Sequence, residues 1–213
     1  MEIAIAGGHG KIGLLLGKML VDRGSAVFGL IRNPEQEDDL HAIGVEPVLC
    51  DLEGADDVAE AISGAEALVF AAGAGPGSGA ERKRSMDLGG AVKLIEAAKA
   101  EGVDRYLMVS SMGAADPPAE GGDVFGEYLR AKAAADQAVE SSGLAYTIVR
   151  PGGLTDRPPT GQVQVGPHLD RGQIPRADVA ATLAAVLAAR NTIGKTFELV
   201  SGEVPVEQAV AGL

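Results

Sequence analysis

Tyr128 and Lys132 are four residues apart in a stretch, Phe125 to Ser141, whose periodicity predicts a helix. That spacing puts both side chains on one helix face. A phenol ionises near pH 10 in water, but a neighbouring ammonium group stabilises the phenolate. The pair therefore predicts a proton-transfer site in which Tyr128, assisted by Lys132, exchanges a proton with a carbonyl or hydroxyl group. The alternative is a half-buried tyrosine beside a solvated lysine.

Two serines follow the end of a predicted strand, in the run Val109-Ser110-Ser111-Met112-Gly113. A serine hydroxyl there could bind a substrate oxygen beside the tyrosine and stabilise developing charge. Of the two, we assign that role to Ser111. The alternative is that these hydroxyls only cap the loop.

A glycine-rich run, Gly7-Gly8-His9-Gly10-Lys11-Ile12-Gly13, follows the first predicted strand and precedes an apolar helix. Its glycines fit both the G-x-G-x-x-G and the G-x-x-G-x-x-G spacing. Glycine permits a tight turn and lets backbone N–H groups approach a pyrophosphate, which the amino terminus of the helix attracts. The run therefore predicts a dinucleotide-binding loop. A glycine-rich turn without a ligand is the alternative.

Arg32 stands at the end of the second predicted strand, where NAD-binding folds place an acidic residue on the ribose 2′-hydroxyl. A guanidinium there can pair with a 2′-phosphate, so Arg32 and the adjacent Asn33 predict that NADP(H) is preferred over NAD(H). The alternative is a solvated arginine. Asp51 and Leu52 end the third strand, where the carboxylate can face the adenine amino group or cap a helix. The sequence leaves both roles of Asp51 open.

Short apolar runs alternate with longer alanine-rich stretches of helical period along the chain. This alternation predicts an α/β fold: a single Rossmann-type domain over residues 1–213, with a doubly wound parallel sheet and helices on both faces. Residues 151–213 are expected to form a small carboxyl-terminal extension on the substrate side. The predicted strands are Glu2 to Ala6, Ala26 to Ile31, Glu46 to Leu49, Ala67 to Ala71, Arg105 to Val109, Ala145 to Val149 and Thr196 to Val200. The predicted helices are Lys11 to Arg23, Ala55 to Ile62, Ala80 to Ala100, Phe125 to Ser141 and Ala177 to Ala189.

Three stretches rich in glycine and proline follow predicted strands: Ala72 to Gly79, Met112 to Gly122 and Pro151 to Gly172. Ligands bind at the carboxyl edge of an open parallel sheet, so we expect these loops to form the walls of a site. Flexible surface loops are the alternative.

Charge and composition narrow the range of partners. The chain has 18 basic and 30 acidic residues, a formal charge of −12, with 3% aromatic residues and no tryptophan. The overall field of such a chain repels nucleic acid unless a local basic patch overcomes it, and the scarcity of aromatic residues disfavours a base-stacking surface. The one basic cluster, Arg82-Lys83-Arg84, is typical of a solvated helix start. We expect a small-molecule substrate, no nucleic-acid or membrane partner, and a cytoplasmic location, since the amino terminus lacks a signal-peptide pattern. One cysteine and three dispersed histidines predict no metal site, and homo-oligomerisation stays open.

Together these residues resemble the short-chain dehydrogenase/reductase superfamily over nearly the whole chain. The run Tyr146 to Thr155 is similar to the atypical NAD(P)H-binding branch, which includes NmrA-like and epimerase-like proteins. The resemblance implies that Pro151 and Gly152 lie near the nicotinamide, that Ala72 and Gly73 line the adenosine ribose, and that Tyr128 and Lys132 are the catalytic pair. The expected cofactor-binding residues are Gly7, Gly8, His9, Gly10, Lys11, Ile12, Gly13, Arg32, Asn33, Asp51, Leu52, Ala71, Ala72, Gly73, Ser110, Lys132, Pro151, Gly152 and Gly153.

Two departures from the family pattern bear on the proton relay. Asp87 falls where many relatives have asparagine, and Met112 follows the serine pair where extended members often have another serine. Extended members also carry a larger carboxyl-terminal substrate domain. Only about sixty residues follow Pro151, so the resemblance implies a small or open substrate pocket.

We therefore expect an NADP(H)-dependent oxidoreductase, or an epimerase using transient oxidation, with Tyr128, Lys132 and Ser111 as catalytic residues. Two alternatives stay open: an NADP(H)-binding redox sensor without catalysis, and a flavin or quinone reductase that takes its proton from water. The Tyr/Lys pair favours an enzyme, because a sensor needs no proton relay.

Overall fold

A computed structural model describes residues 1–75, 77–119 and 123–213 of the chain. Its strands are β1 (Glu2–Ala6), β2 (Ala26–Ile31), β3 (Glu46–Leu49), β4 (Ala67–Phe70), β5 (Arg105–Val109), β6 (Ala145–Pro151), β7 (Gly153–Thr155), β8 (Gln162–Gly166), β9 (Gln173–Pro175), β10 (Lys195–Ser201) and β11 (Val204–Pro205). Its α-helices are α1 (Lys11–Asp22), α2 (Glu37–His41), α3 (Val58–Ala61), α4 (Ala80–Arg82), α5 (Ala91–Glu101), α6 (Val124–Glu140), α7 (Arg176–Ala188) and α8 (Val206–Ala211). A π-helix, Lys83–Gly90, joins α4 to α5.

Nine strands form the main sheet, in the order β3-β2-β1-β4-β5-β6-β10-β8-β11. The pairs from β3 to β10 are parallel, and β8 runs antiparallel to both β10 and β11. The chain order reverses between β1 and β4, which is where doubly wound sheets bind ligands. The predicted Rossmann-type fold is confirmed.

Side chains of β1 alternate between two apolar clusters, one on each face of the sheet. Ile3 and Ile5 pack into the cluster that contains α1 and α7 residues, while Ala4 and Ala6 pack into the one that contains α3 and α5 residues. A strand covered on both faces must be apolar throughout, and that is why the strands read as continuous apolar runs. No helix within the described residues combines the length and the apolar character needed to cross a bilayer.

Two predicted helices differ from the observed ones. The helix predicted from Ala55 begins at Val58, because Asp57 Oδ1 accepts hydrogen bonds from the N–H groups of Ala59 and Glu60 and fixes the start there. The helix predicted over Ala80 to Ala100 is helical throughout, but its middle part is the π-helix. Such segments are rare and often occur at functional sites.

The carboxyl-terminal segment is more regular than predicted. Residues 151–172 were expected to form a loop, but they contain β7 and β8. The alternation Gln162-Val163-Gln164-Val165 is a strand pattern within a glycine- and proline-rich stretch, and Val163 is fully buried. The extension therefore enlarges the main sheet through β8, β10 and β11, and β7 pairs with β9 in a small separate sheet. In the other two predicted loops, Pro76 and residues 120–122 lie outside the described residues.

We expect Gly13→Ala to lower the free energy of unfolding by about 1–3 kcal/mol, because overpacking a tight contact costs that much. A Cβ at Gly13, in the first turn of α1, would lie 2.8 Å from the Gly8 carbonyl oxygen. Gly89→Ala is the matched control: its nearest neighbour would be at an ordinary 3.7 Å, and alanine favours a helix. Chemical denaturation followed by circular dichroism measures both, and equal stability of the two variants would contradict the expectation.

Candidate cofactor and active site

The turn after β1 leaves no room for side chains. Gly7 has a φ of +85°, and a Cβ there would lie 2.8 Å from the backbone of Ala72. A Cβ on Gly8 would lie 2.5 Å from Gly29 Cα. The backbone of β2 and the backbone just beyond β4 thus lie so close to the turn that no side chain fits between them.

The same turn leads into the amino terminus of α1. Gly10 is the N-cap of this helix, and no side chain of the described residues caps it, so its first-turn N–H groups remain available for an anion. Lys11 is the first residue of the helix, and its ammonium group lies 2.5 Å from Asp156 Oδ2. The arrangement fits a pyrophosphate, the group for which the glycine spacing was singled out.

Beside this terminus lies a cavity of about 350 Å³, here called the first cavity. It brings together many of the predicted cofactor-binding residues: Gly7, His9, Gly10, Arg32, Asp51, Leu52, Ala71, Ala72 and Gly73. Cys50, Gln36 and Arg82 also line it. The cavity lies at the carboxyl ends of β1, β2, β3 and β4.

Two guanidinium groups in the first cavity share one carboxylate. Glu53 Oε2 lies 3.5 Å from Arg32 Nη1 and 3.1 Å from Arg82 Nε. Ser85 donates a hydrogen bond of 2.5 Å to the other oxygen of Glu53. Two guanidinium groups thus line the first cavity, held by one shared carboxylate. The sequence interpretation missed Arg82, which it placed on a solvated helix start.

Two predicted residues next to the first cavity act as local caps. Asp51 Oδ1 accepts a hydrogen bond from the Glu53 N–H, so the carboxylate caps a turn while its residue lines the cavity. Asn33 caps a short 3₁₀ helix by accepting from the Glu35 N–H, and it is not among the lining residues.

A second cavity of about 270 Å³, here called the central cavity, continues along the same sheet edge. It shares residues 71–75 with the first cavity. Its further lining residues are Ile12, Lys83, Asp87, Val109, Ser110, Tyr128, Lys132 and Leu154.

Lys132 and Asp87 form a buried ion pair in the wall of the central cavity. Their side chains are 3% and 0% exposed, and Lys132 Nζ lies 3.2 Å from Asp87 Oδ1. Lys132 also donates to the Val109 carbonyl at 3.1 Å, and Asp87 Oδ2 accepts from the Ala74 N–H. The approach to Oδ1 does not have hydrogen-bond geometry, so within the described residues this buried oxygen is held by the ion pair alone. The ion pair and the hydrogen bond to Val109 hold the Lys132 ammonium at a fixed place in the wall of the central cavity.

Two ammonium groups lie close to the Tyr128 ring. The centre of its ring is 5.0 Å from Lys83 Nζ and 5.9 Å from Lys132 Nζ. Helix α6, which carries Tyr128 and Lys132, packs against the π-helix, which carries Lys83 and Asp87. The predicted pair, Tyr128 and Lys132, therefore has two charged neighbours, Lys83 and Asp87, on the facing π-helix.

The two serines have different surroundings. Ser110 is buried and donates to Asp136 Oδ2 at 2.8 Å, an oxygen that also accepts from Arg150 Nε at 2.9 Å. Burial raises the pKa of the Asp136 carboxyl, which the hydrogen bond from Ser110 and the charge of Arg150 partly oppose. Ser111 is half-buried and donates only weakly, at 3.3 Å, to the Met112 carbonyl. Ser110 is therefore committed to a structural network, while the Ser111 hydroxyl is free to reorient.

A third cavity of about 410 Å³, here called the outer cavity, meets the central one at Ser110, Tyr128 and Leu154. Ser111 and the predicted residues Pro151, Gly152 and Gly153 line it. So do residues to which the sequence interpretation gave no binding or catalytic role: Met112, Phe125, Leu129, Arg171 and Arg176. Four predicted cofactor residues, Gly8, Lys11, Gly13 and Asn33, line none of the three cavities.

Comparison with known proteins agrees with this geometry. The model of a family described as NAD(P)H-binding matches residues 7–190. The uncharacterized sugar epimerase YhfK of Bacillus subtilis is 39% identical over 215 residues, which cover 100% of both proteins. A solved structure from Bacillus halodurans, assigned by name to the NAD-dependent epimerases/dehydratases, is 39% identical with a TM-score of 0.94, and 100% of both chains is covered.

A more distant solved structure is that of ChuY from Escherichia coli O157:H7, named an anaerobillin reductase. It is 25% identical, with a TM-score of 0.81 and coverage of 96% of this chain and 98% of that one. The resemblance noted from the motifs is confirmed: the chain belongs to the NAD(P)H-binding family of Rossmann-fold proteins, whose members are named as oxidoreductases and epimerases.

Proposed function

We propose that this protein is an NADP(H)-dependent oxidoreductase, or an epimerase using transient oxidation, that acts on a small carbonyl or hydroxyl compound. One observation carries the proposal: the first, central and outer cavities form a series along one sheet edge, and Tyr128 lines both the central and the outer one. A proton-transfer group thus stands between the cofactor side and a separate space for substrate. The outer cavity favours an enzyme over a sensor, which needs no second site.

The cofactor would be held by the residues already described. The amino terminus of α1 and the glycine turn would take the pyrophosphate, and Arg32 with Arg82 would take a 2′-phosphate. The Lys132 ammonium lines the central cavity and would donate a hydrogen bond to a ligand there. A bound nicotinamide would supply or accept hydride.

The chain's own residues would move the proton. The Tyr128 hydroxyl would donate its proton to a substrate oxygen during reduction, or take it up during oxidation. Lys83 and Lys132 would stabilise the phenolate that remains, since both ammonium groups lie within 6 Å of the ring centre. Ser111 would orient the substrate oxygen, because its hydroxyl lines the outer cavity and has a weak partner.

The paired arginines predict cofactor preference. We expect Arg32→Gln and Arg82→Gln each to weaken NADPH binding roughly tenfold, or about 1.4 kcal/mol, through loss of a charge-assisted contact to the 2′-phosphate. NADH binding should change less than twofold, and exposed Arg190→Gln, which lines none of the three cavities, should change neither. Calorimetric titration suits a chain without tryptophan. Equal losses for NADPH and NADH would rule out a 2′-phosphate contact.

Cys50 reports on occupancy of the first cavity. Burial, assisted by Asp56 and Asp51, raises the pKa of this single thiol to about 11. We expect slow alkylation by iodoacetamide at pH 8, a rate that rises about tenfold per pH unit towards pH 10, and protection by NADPH. The urea-unfolded chain is the control and should react as a free thiol. A reaction that NADPH does not slow would place the cofactor elsewhere.

Tyr128→Phe tests the proton transfer. Screening NADPH oxidation with aldehydes, ketones and quinones identifies a substrate, and the variant should then turn it over at least roughly 100-fold more slowly. Its affinity for NADPH should stay within twofold of the parent. Tyr146→Phe is the matched control, because Tyr146 lies on β6 and lines none of the three cavities. Turnover that survives in Tyr128→Phe would show that the proton comes from another source, such as water.

A further inference from the structure

We propose that the outer cavity selects an organic acid: a substrate with an apolar body and a carboxylate that Arg171 binds. This inference rests on the proposed function, since it names the substrate class of the same site. Two arginines line the cavity, Arg171 and Arg176, together with Tyr128 and Ser111. A guanidinium matches a carboxylate through two parallel hydrogen bonds, which makes arginine the side chain best suited to recognising one.

The small β7–β9 sheet positions the two arginines at the cavity, because they flank strand β9. Arg171 precedes β9 by two residues, and Arg176 follows it as the first residue of α7. Strand β9 is fixed to the wall of the cavity because the Gly153 N–H donates to the Gly172 carbonyl at 2.9 Å. A Cβ on Gly152 would collide with that same carbonyl. The segment that carries Arg171 is therefore packed closely against residues 151–153, which line the cavity.

The charges around the two arginines do not cancel. Asp156 Oδ1 lies 2.6 Å from Arg176 Nη1, while its other oxygen pairs with Lys11. Hydrogen bonds from these two cations hold the pKa of the Asp156 carboxyl below its usual range, and the bond from Lys11 has the larger effect. Arg171 has no carboxylate within ion-pair distance among residues 1–75, 77–119 and 123–213. Arg171 lines the outer cavity and is exposed, so its positive charge is available to an anionic ligand there.

The remaining wall of the cavity is apolar. Phe125 is 56% exposed and Leu154 is 39% exposed, although both are large hydrophobic side chains. Met112 and Leu129 line the same space. When an apolar ligand covers water-exposed apolar side chains around a cavity, the free energy of the complex is lowered. A ligand with an apolar body can therefore lie against these side chains, with its carboxylate at Arg171 and its reacting oxygen at Tyr128.

This arrangement disfavours a neutral sugar as substrate. A sugar offers hydroxyl groups in place of a charge, so the Arg171 guanidinium would lose part of its hydration without a charged partner. It also has little apolar surface for Phe125 and Leu154.

Calorimetric titration of the NADP⁺-saturated protein and of the free protein tests the inference. The probes are naphthalene-2-carboxylate and its neutral isostere 2-naphthamide. We expect the carboxylate to bind at least tenfold more tightly than the amide, and Arg171→Met to abolish that preference while leaving amide and NADPH binding within twofold. Arg171→Lys keeps the charge but not the two parallel hydrogen bonds of a guanidinium, so it should retain part of the preference for the carboxylate. Arg190→Met is the matched control, because it removes an exposed charge elsewhere and should preserve the preference.

Three results would overturn the inference: equal binding of acid and amide, a preference that survives Arg171→Met, or a loss just as large in Arg190→Met. Because binding is measured without turnover, these results are independent of the Tyr128 chemistry. Failure of NADPH to bind would instead count against the proposed function.

Discussion

Backbone-to-backbone contact at the first turn is the constraint from which the site follows. Gly8 touches Gly29 of β2, and Gly7 touches Ala72 just beyond β4, so a side chain at either glycine would push the strands apart. Since β1 lies between β2 and β4, the turn sits at the point where the chain order reverses. The uncapped end of α1 therefore opens at the junction of the two halves of the sheet, where an extended ligand can lie across both.

Charge is distributed around this junction against the overall sign of the chain. Arg32 and Arg82 share Glu53 at one end, and Lys132 pairs with Asp87 in the middle. At the other end, Arg171 forms no ion pair within the described part of the chain. Burying an ion pair such as Lys132–Asp87 costs desolvation free energy that can exceed the attraction between the two charges. We therefore attribute this pair to the proposed chemistry in the cavity and not to fold stability.

Local sequence patterns predicted the fold and several of the residues that line the candidate site. The glycine spacing, Arg32 at a strand end and the four-residue Tyr128–Lys132 spacing need only their own neighbours to be recognised. Arg82 and Arg171 could not be found this way, because one reaches the first cavity through a helix with a π-helical middle and the other through the pairing of β9 with β7. Asn33 shows the reverse: its place in the sequence fits a cofactor contact, but its side chain caps a 3₁₀ helix.

The most direct test of the account is a crystal structure of the protein with NADP⁺. The account predicts the pyrophosphate at Gly7, Gly10 and the amino terminus of α1, the 2′-phosphate between Arg32 and Arg82, and the nicotinamide in the central cavity beside Tyr128. Cofactor density with the 2′-phosphate turned away from both arginines, or with the nicotinamide outside the central cavity, would contradict it.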